Sequence, residues 1–161
     1  MARGKSPVQA GDRLVSKNRR ASFDYEISDT FEAGMALIGS EVRSLRQHSA
    51  DLTDAWVDID RRGEAWVKGM RIPPLVHAAF GHADTRARKL LLHKEQIERL
   101  RGLVERDGMT LIATKCYFKN NHVKIEVAVA RGKKKYDKRQ SIKNKEGERE
   151  ATAAIRRGRK N

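Results

Sequence analysis

The alternation of apolar and polar residues predicts a β-strand near the start of the chain. Apolar or aromatic side chains occupy every second position at Phe23, Tyr25 and Ile27. This period of two predicts a strand over residues 22–38, in which Gly34 indicates a bulge or bend. Gly39 and Ser40 end the strand, and Ser40 is a candidate N-cap for a short helix over residues 41–48.

Two further alternating segments predict a β-hairpin. Residues 55–60 and 64–72 flank the sequence Arg61-Arg62-Gly63, which is typical of a turn. Trp56 and Trp66 should then lie on the same face of the sheet. Two consecutive prolines end the second strand, and the segment that follows has no periodicity and is predicted to be a loop.

The second half of the chain predicts one helix and another hairpin. Residues 90–92 indicate either a short strand or the entry to a helix. An apolar helical face follows and ends near Gly108, a residue suited to the left-handed C′ position. Residues 110–118 and 123–130 then form a hairpin around Asn120-Asn121.

The charge distribution sets the C-terminal end apart from the rest. The chain of 161 residues carries a net charge of +14, and residues 131–161 hold thirteen Lys/Arg against four Asp/Glu. Ile142 and Ile155 are the only large aliphatic residues of this segment, so it cannot bury enough apolar surface to offset its ordering entropy. A basic arm on a nearly balanced body usually binds polyphosphate, which favours nucleic acid as the partner; a merely solubilising tail is the alternative.

The elements and the charge together predict a mainly β protein with short helices. Five or six strands joined by such helices describe an OB-like antiparallel β-barrel with packed helices and a disordered basic C-terminal tail. The predicted organisation is a flexible leader (residues 1–17), an OB-like RNA-binding barrel (18–130) and the basic tail (131–161).

The sequence lacks the motifs of metal, cofactor and catalytic sites. Of five histidines, His77 and His82 are the closest pair, five residues apart in an apparent loop, which is weak evidence for a metal ligand set. The single Cys116 lies in an alternating segment and is predicted to be a small buried hydrophobe. No signal peptide or membrane span is apparent, which predicts a cytoplasmic protein. Because no catalytic or phosphate-binding motif is present, the sequence also predicts a protein that uses no cofactor or metal and is not an enzyme.

Four ordered blocks identify a family. They are Asn18-Arg19-Arg20-Ala21; Phe31-Glu32-Ala33-Gly34 continuing to Gly39-Ser40-Glu41-Val42-Arg43-Ser44-Leu45-Arg46; Arg86-Ala87-Arg88-Lys89-Leu90-Leu91-Leu92-His93; and Tyr117-Phe118-Lys119 followed by Ala130-Arg131-Gly132-Lys133-Lys134-Lys135-Tyr136-Asp137-Lys138-Arg139. In this order and spacing they closely resemble the small protein B family of bacterial tmRNA-binding proteins. The resemblance covers about residues 18–146.

The resemblance implies a non-enzymatic role in rescuing stalled ribosomes, a process called trans-translation. A protein of this family binds the tRNA-like domain of tmRNA with its OB-like barrel. Its tail becomes helical when bound to the ribosome and probes the empty mRNA channel and the decoding centre of the small ribosomal subunit. The implied partners are therefore tmRNA and the ribosome, with elongation factor Tu and alanyl-tRNA synthetase reached indirectly through tmRNA, and no membrane.

The resemblance also implies the site residues. Positions matching the family's tmRNA-contacting surface are Asn18, Glu32, Leu91 and Lys124. Basic residues of the same blocks are candidate tmRNA contacts, because guanidinium and ammonium groups suit the RNA backbone: Arg19, Arg20, Arg43, Arg46, Arg86, Arg88 and Lys89. The implied decoding-centre residues of the tail are Arg131, Lys133, Lys134, Tyr136, Asp137, Lys138 and Arg139.

Some alternatives remain open. Glu32 would be repelled by phosphate, so it either accepts hydrogen bonds from base amino groups, orients a neighbouring Arg or forms a surface ion pair. Leu91, in a Leu-Leu-Leu run, is equally compatible with the core. Trp56 stands where the family usually has Tyr, and the loop 73–84 also departs from the family pattern, so no contact is transferred from it. A ribosomal structural RNA-binding protein and an RNA-processing enzyme with a basic tail are the other function classes.

Overall fold

A computed structural model describes residues 11–76 and 81–158. The described residues form seven strands and four helices. In chain order these are β1 (Arg13–Lys17), α1 (Ala21–Asp24), β2 (Tyr25–Met35), α2 (Gly39–Gln47), β3 (Trp56–Ile59), β4 (Ala65–Lys68), β5 (Arg88–Leu91), α3 (Lys94–Asp107), β6 (Thr110–Lys119), β7 (His122–Gly132) and α4 (Lys135–Gly158).

The strands close into a ring, and every pairing is antiparallel. Around the ring the order is β6, β3, β4, β5, β2 and β7, and β7 pairs again with β6. β6 has 10 residues and β7 has 11, so β6 has room to pair with β7 along one edge and with β3 and β1 along the other. The predicted mainly β architecture, a closed antiparallel sheet with helices packed on it, is confirmed.

The core fills the inside of the strand ring. Val123, Ile125, Val127 and Val129 of β7 are buried there, as the period of two in the sequence predicts. Leu45 of α2 and Leu100 of α3 join the same cluster. A smaller apolar cluster lies outside the ring, where Ala21 of α1 packs with Ile112, Ala128 and Ala130. The helices therefore cover openings and faces that the strands leave uncovered.

The predicted turns are confirmed by the backbone. Asn120 and Asn121 have φ values of 50° and 62°, which suit the tight turn between β6 and β7. Gly108 ends α3 in the left-handed conformation with φ 61°. In the β3–β4 hairpin Trp56 lies opposite Lys68 and Trp66 lies opposite Asp58, so both tryptophans are on the same face.

The N-terminal half differs from the prediction in three places. Arg13–Lys17 form strand β1 on the edge of β6 instead of belonging to a flexible leader. α1 replaces the start of the strand predicted over residues 22–38, because hydrogen bonds to the side chain of Asn18 stabilise the turn before it. α2 begins at Gly39, and the carboxylate of Glu41, not Ser40, accepts the backbone N–H of Ile38 at 3.1 Å.

Gly34 has a different role from the one predicted. The irregularity of β2 lies between Ile27 and Asp29, and Gly34 pairs regularly with Leu91 of β5 and Lys124 of β7. A Cβ atom at position 34 would stand 3.2 Å from the Cβ of Leu91. The absence of a side chain at Gly34 therefore allows the side chain of Leu91 to pack closely on β2.

The tail also differs from the prediction of disorder. Lys135–Gly158 form the single helix α4, and no described side chain of this helix is fully buried. The segment is rich in strong helix formers such as Lys, Glu, Arg and Ala, which accounts for a helix. The prediction that the tail is helical when bound to the ribosome is compatible with this conformation and remains untested.

Candidate nucleic-acid interface

One outer face of the strand ring brings together three of the four residues matched to the family's tmRNA-contacting surface. In the strand register, Leu91 lies opposite Gly34, Gly34 opposite Lys124, and Lys124 opposite Tyr117. Glu32 is two residues from Gly34 on the same strand and hence on the same face. We call this the Lys124 face and define it by Glu32, Leu91, Tyr117, Lys119 and Lys124.

Glu32 is held by two neighbours on this face. The hydroxyl of Tyr117 donates a hydrogen bond to its carboxylate, and the ammonium of Lys119 lies 3.3 Å from Oε2. Burial of the ring and the hydrogen bond to Glu32 raise the pKa of Tyr117 far above its usual value, so Tyr117 stays a neutral donor. Because Lys119 balances its charge, Glu32 can sit beside RNA with less repulsion.

Leu91 and Lys124 present complementary chemistry beside Glu32. The side chain of Leu91 leans over Gly34 and is 57 % exposed, whereas its neighbour Leu90 is buried in the core. Lys124 is half-buried on β7, which lies on the other side of β2 from β5. An exposed apolar side chain, a cation and a carboxylate thus lie within a few strands of one another, and these are the groups that contact a nucleoside, a phosphate and a base amino group respectively.

Asn18, the fourth matched residue, is used mainly to shape the chain. Its side-chain amide donates to the carbonyl of Leu52 at 3.0 Å, and its Oδ1 accepts the backbone N–H groups of Arg20 and Ala21, each at 3.1 Å. These bonds fix the turn that starts α1 and leave Arg19 and Arg20 exposed. Asn18 therefore acts here by positioning two basic side chains.

The structure contradicts the prediction that Arg88 contacts RNA. Arg88 is fully buried, and its guanidinium pairs with Glu41 at 2.8 Å and donates to the carbonyls of Met70 and Asp84. Arg86 also binds the Glu41 carboxylate, with both oxygens engaged at 2.7 and 2.6 Å. The sequence carried a usable signal, because alternation with the buried Leu90 places Arg88 on the inner side of β5.

The electrostatics of Glu41 confirm a structural role for this cluster. Burial alone would raise the pKa of Glu41, but hydrogen bonds from Arg86 and Arg88 outweigh it and lower the pKa below 4.5. The carboxylate is therefore ionised and binds two guanidinium groups, and its single negative charge balances one of their two positive charges. We call Glu41, Arg86 and Arg88 the buried arginine cluster; it ties α2 to the segment around β5.

The other predicted basic residues of the body differ in availability. Lys89 forms an ion pair with Glu64 at 2.7 Å on the outer side of β5. Arg43 is exposed on α2. Arg46 is exposed too, and its guanidinium lies 5.8 Å from the centre of the Phe118 ring. Arg43 and Arg46 can therefore bind phosphate, whereas Lys89 would have to exchange a partner.

The first residues of the tail are attached to α1 through a residue that sequence analysis missed. Lys138 forms an ion pair with Asp24 at 3.2 Å, and Lys133 donates to the carbonyl of Ser22 at 2.9 Å. Four of the other predicted tail residues are exposed: Arg131, Lys134, Asp137 and Arg139. Tyr136 lies in α4, but its side chain is outside the described part of the structure.

In the pair His77 and His82, which was considered as a metal site, His82 has a structural role. His82 is buried, with its ring nitrogens 3.0 Å from the hydroxyl of Ser40 and 3.0 Å from the carbonyl of Ile72. His77 lies outside the described residues. Within residues 11–76 and 81–158, no group of three His, Cys, Asp or Glu side chains could hold a metal ion.

None of the described helices is long and apolar enough to cross a membrane.

Comparisons with known proteins decide the family. The model of the family described as SmpB protein matches residues 15–157. The chain belongs to the SmpB family. The SsrA-binding protein of Sorangium cellulosum (strain So ce56) is 47 % identical over 151 residues, which cover 94 % of this chain and 93 % of that protein. The SsrA-binding protein of Nocardia farcinica (strain IFM 10152) is 45 % identical over 148 residues, covering 91 % and 92 %.

A solved structure supports the assignment to the SmpB family. It is described as "tmRNA-SmpB: a journey to the center of the bacterial ribosome" and shares 39 % identity with this chain. The superposition has a TM-score of 0.64 and covers 80 % of this chain and 94 % of the other. The family inferred from the four sequence blocks is therefore confirmed.

Proposed function

We propose that this protein binds the tRNA-like domain of tmRNA and delivers it to stalled ribosomes for trans-translation. Membership of the SmpB family supports the proposal. The observation that carries it is the Lys124 face, because Glu32, Leu91 and Lys124 are far apart in the sequence and meet on three neighbouring strands. Their side chains share the outer face of the ring, which brings a carboxylate, an exposed apolar group and a cation to one surface.

Each residue of the face has a distinct task toward RNA. Lys124 binds a phosphate, Leu91 packs against an exposed sugar or base, and Glu32 accepts hydrogen bonds from a base amino group. Arg19, Arg20, Arg43 and Arg46 add phosphate contacts around the face. Asn18 holds the turn that presents the first two of these, and Arg88 is excluded by its burial.

In the same proposal the tail acts on the ribosome. Residues 131–139 bind at the decoding centre, and α4 probes the empty mRNA channel. Elongation factor Tu and alanyl-tRNA synthetase act on the same tmRNA and are partners only through it. The protein works by binding, without catalysis or cofactor, in the cytoplasm.

Binding of purified tmRNA by Lys124→Gln and Leu91→Ala variants tests the proposal. We expect either change to weaken binding by about 5- to 150-fold, since contacts of this kind contribute roughly 1–3 kcal/mol. Lys145→Gln removes the same charge from the exposed face of α4 and is the matched control, expected to stay within a few-fold.

The RNA that co-purifies with the full-length protein provides a second readout. A single small RNA with a tRNA-like end agrees with the proposal. Ribosomal RNA, together with unchanged tmRNA binding by the Lys124→Gln variant, would instead favour a structural protein of the ribosome.

A further inference from the structure

A concave surface lies beside the Lys124 face, and apart from Leu91 its lining residues have no task in the proposed function. It is a cleft of about 460 Å³ between the β3–β4 turn and the N-terminal half of α3. This volume falls in the range of ~300–1,000 Å³ that small-ligand sites occupy. Arg101 of α3 donates to the carbonyl of Asp60 at 2.9 Å and so ties the helix to the start of the turn. We call this concave surface the turn–helix cleft.

The chemistry of the turn–helix cleft is divided between its floor and its rim. Leu91, Leu92 and Ile97 supply an apolar floor, with Leu92 and Ile97 half-buried. Arg61, Arg62 and Lys94 are exposed at the rim. An apolar surface edged by cations matches a nucleotide, whose base has apolar faces and whose phosphates are anionic.

The balance of charge in the cleft favours an anionic occupant. Five Lys/Arg residues line it against two Glu residues. One of the two, Glu64, is already paired with Lys89 at 2.7 Å. The other, Glu98, is exposed on α3. The surplus of positive charge is therefore carried by Arg61, Arg62, Lys94 and Arg101. The side chains of the first three make no hydrogen bond or ion pair among those described, although the backbone N–H of Arg62 donates to Asp60 at 2.9 Å.

We propose that the turn–helix cleft binds an unstacked nucleotide of tmRNA, with its base on the apolar floor and its flanking phosphates on Arg61, Arg62 and Lys94. Leu91 belongs both to this cleft and to the Lys124 face, so an RNA strand that passes over Leu91 continues into the cleft. The inference rests on the proposed function and extends the tmRNA-binding surface from the β2–β7 strands to α3.

Salt dependence of tmRNA binding tests the phosphate contacts. In the full-length protein, Arg61→Gln with Arg62→Gln should make the slope of log K against log salt shallower by about 1.4–1.8, because each phosphate contact contributes about 0.7–0.9. The control variant, Arg156→Gln with Arg157→Gln, removes the same two charges from the exposed end of α4 and should change the slope by clearly less. Circular dichroism verifies that both variants are folded.

Site-directed crosslinking tests the location. Lys94→Cys can be labelled selectively with a thiol-reactive photocrosslinker, because Cys116 is buried and burial raises its pKa to about 12. We expect one dominant crosslinked nucleotide in tmRNA, lost in the Arg61→Gln/Arg62→Gln background. Glu26→Cys, at an exposed strand position outside the cleft, should not crosslink to that nucleotide.

The outcomes separate this inference from the proposed function. Equal slopes for the two double variants, or a crosslink from position 94 only to ribosomal protein or ribosomal RNA, would overturn the cleft while wild-type tmRNA binding stood. Failure of the wild-type protein to bind tmRNA specifically would overturn the proposed function, and the cleft inference with it.

Discussion

The strand ring and helix α4 use charged side chains in opposite ways. Where α2 packs on the ring, the buried arginine cluster encloses Glu41 of α2 and Arg88 of β5 completely, at 0 % exposure of both side chains. In α4 the described charges face solvent, and the ion pair of Lys138 with Asp24 leaves the two side chains 37 % and 28 % exposed. The first arrangement makes the fold depend on a charge pair, whereas the second leaves charge available for a partner.

This difference shows why charge by itself is a poor guide to an RNA interface. Arg88 and Arg139 are the same residue type within basic sequence blocks. Arg88 is buried against the carboxylate of Glu41, and moving it to the surface would leave that carboxylate without one of its partners. Arg139 is exposed to solvent. The contrast predicts that substitutions in the buried arginine cluster act mainly on stability, and those in the tail mainly on activity.

The largest expected effect is loss of stability when the buried arginine cluster is broken. Arg88→Gln leaves the buried Glu41 carboxylate with only one guanidinium partner and removes the bonds to Met70 and Asp84. We expect the free energy of unfolding to fall by about 3–5 kcal/mol, as for other broken buried pairs. Urea denaturation followed by circular dichroism measures it. Arg139→Gln, the control in α4, should change it by less than about 0.5 kcal/mol; similar values for both variants would refute the contrast.

An intermediate effect is expected from acid. The folded-state pKa of Glu41 is lower than its usual value of 4.5, because the hydrogen bonds from Arg86 and Arg88 outweigh burial. The stability that this carboxylate contributes is therefore fully present above about pH 4.5 and is lost as pH falls through the lower folded-state pKa.

Denaturation midpoints between pH 6 and pH 3 measure this acid dependence. Glu41→Gln should remove part of the slope, whereas Glu146→Gln in the exposed tail should not. An unchanged slope in the Glu41→Gln protein would mean that other carboxylates dominate acid unfolding.

The smallest change in stability, with a large change in activity, is expected in the tail. Replacing Asp137, Lys138 and Arg139 together by Ala changes the net charge by only −1 and removes the exposed Lys138–Asp24 pair. Exposed pairs contribute about 0–1 kcal/mol, so the unfolding free energy should stay within that amount and tmRNA affinity within a few-fold. Tagging on stalled ribosomes should nevertheless collapse.

A reconstituted stalled-ribosome assay measures tagging and tmRNA affinity on the same preparation. Asp24→Asn is the matched control, because it breaks the Lys138–Asp24 pair, together with the longer Arg20–Asp24 contact at 3.8 Å, and leaves the three tail residues in place. If the triple-alanine protein tags at the wild-type rate, the tail contributes charge and no specific contact. If Asp24→Asn also abolishes tagging, the attachment to α1 and not the tail side chains is required.

Local patterns in the sequence were sufficient for most of the regular structure. The second hairpin, with Asn120 and Asn121 at positive φ, and the end of α3 at Gly108 were predicted because turn and cap geometry depends on the residues in place. The family was recognisable for a similar reason, since ordered blocks of residues survive where a fold and its surface are maintained.

Long-range contacts explain the elements that were predicted wrongly. α1 interrupts an alternating stretch because Asn18 accepts two backbone N–H groups while its amide is anchored on Leu52, 34 residues away. β1 forms because β6 is long enough to offer a free edge beyond β3. Neither condition can be read from a local window of sequence.

The sequence by itself determined the strands of the ring except β5, which it left open between a strand and a helix, and also the turns of the two hairpins and the concentration of positive charge in the tail. Period, turn residues and composition are local properties. Only the tertiary structure decided which basic residues are available to RNA. Arg88 and its partner Glu41 are 47 residues apart in the chain, and their pairing depends on how α2 packs against β5. Burial of a charge is a property of the packed molecule, and so is the convergence of Glu32, Leu91 and Lys124 on one face.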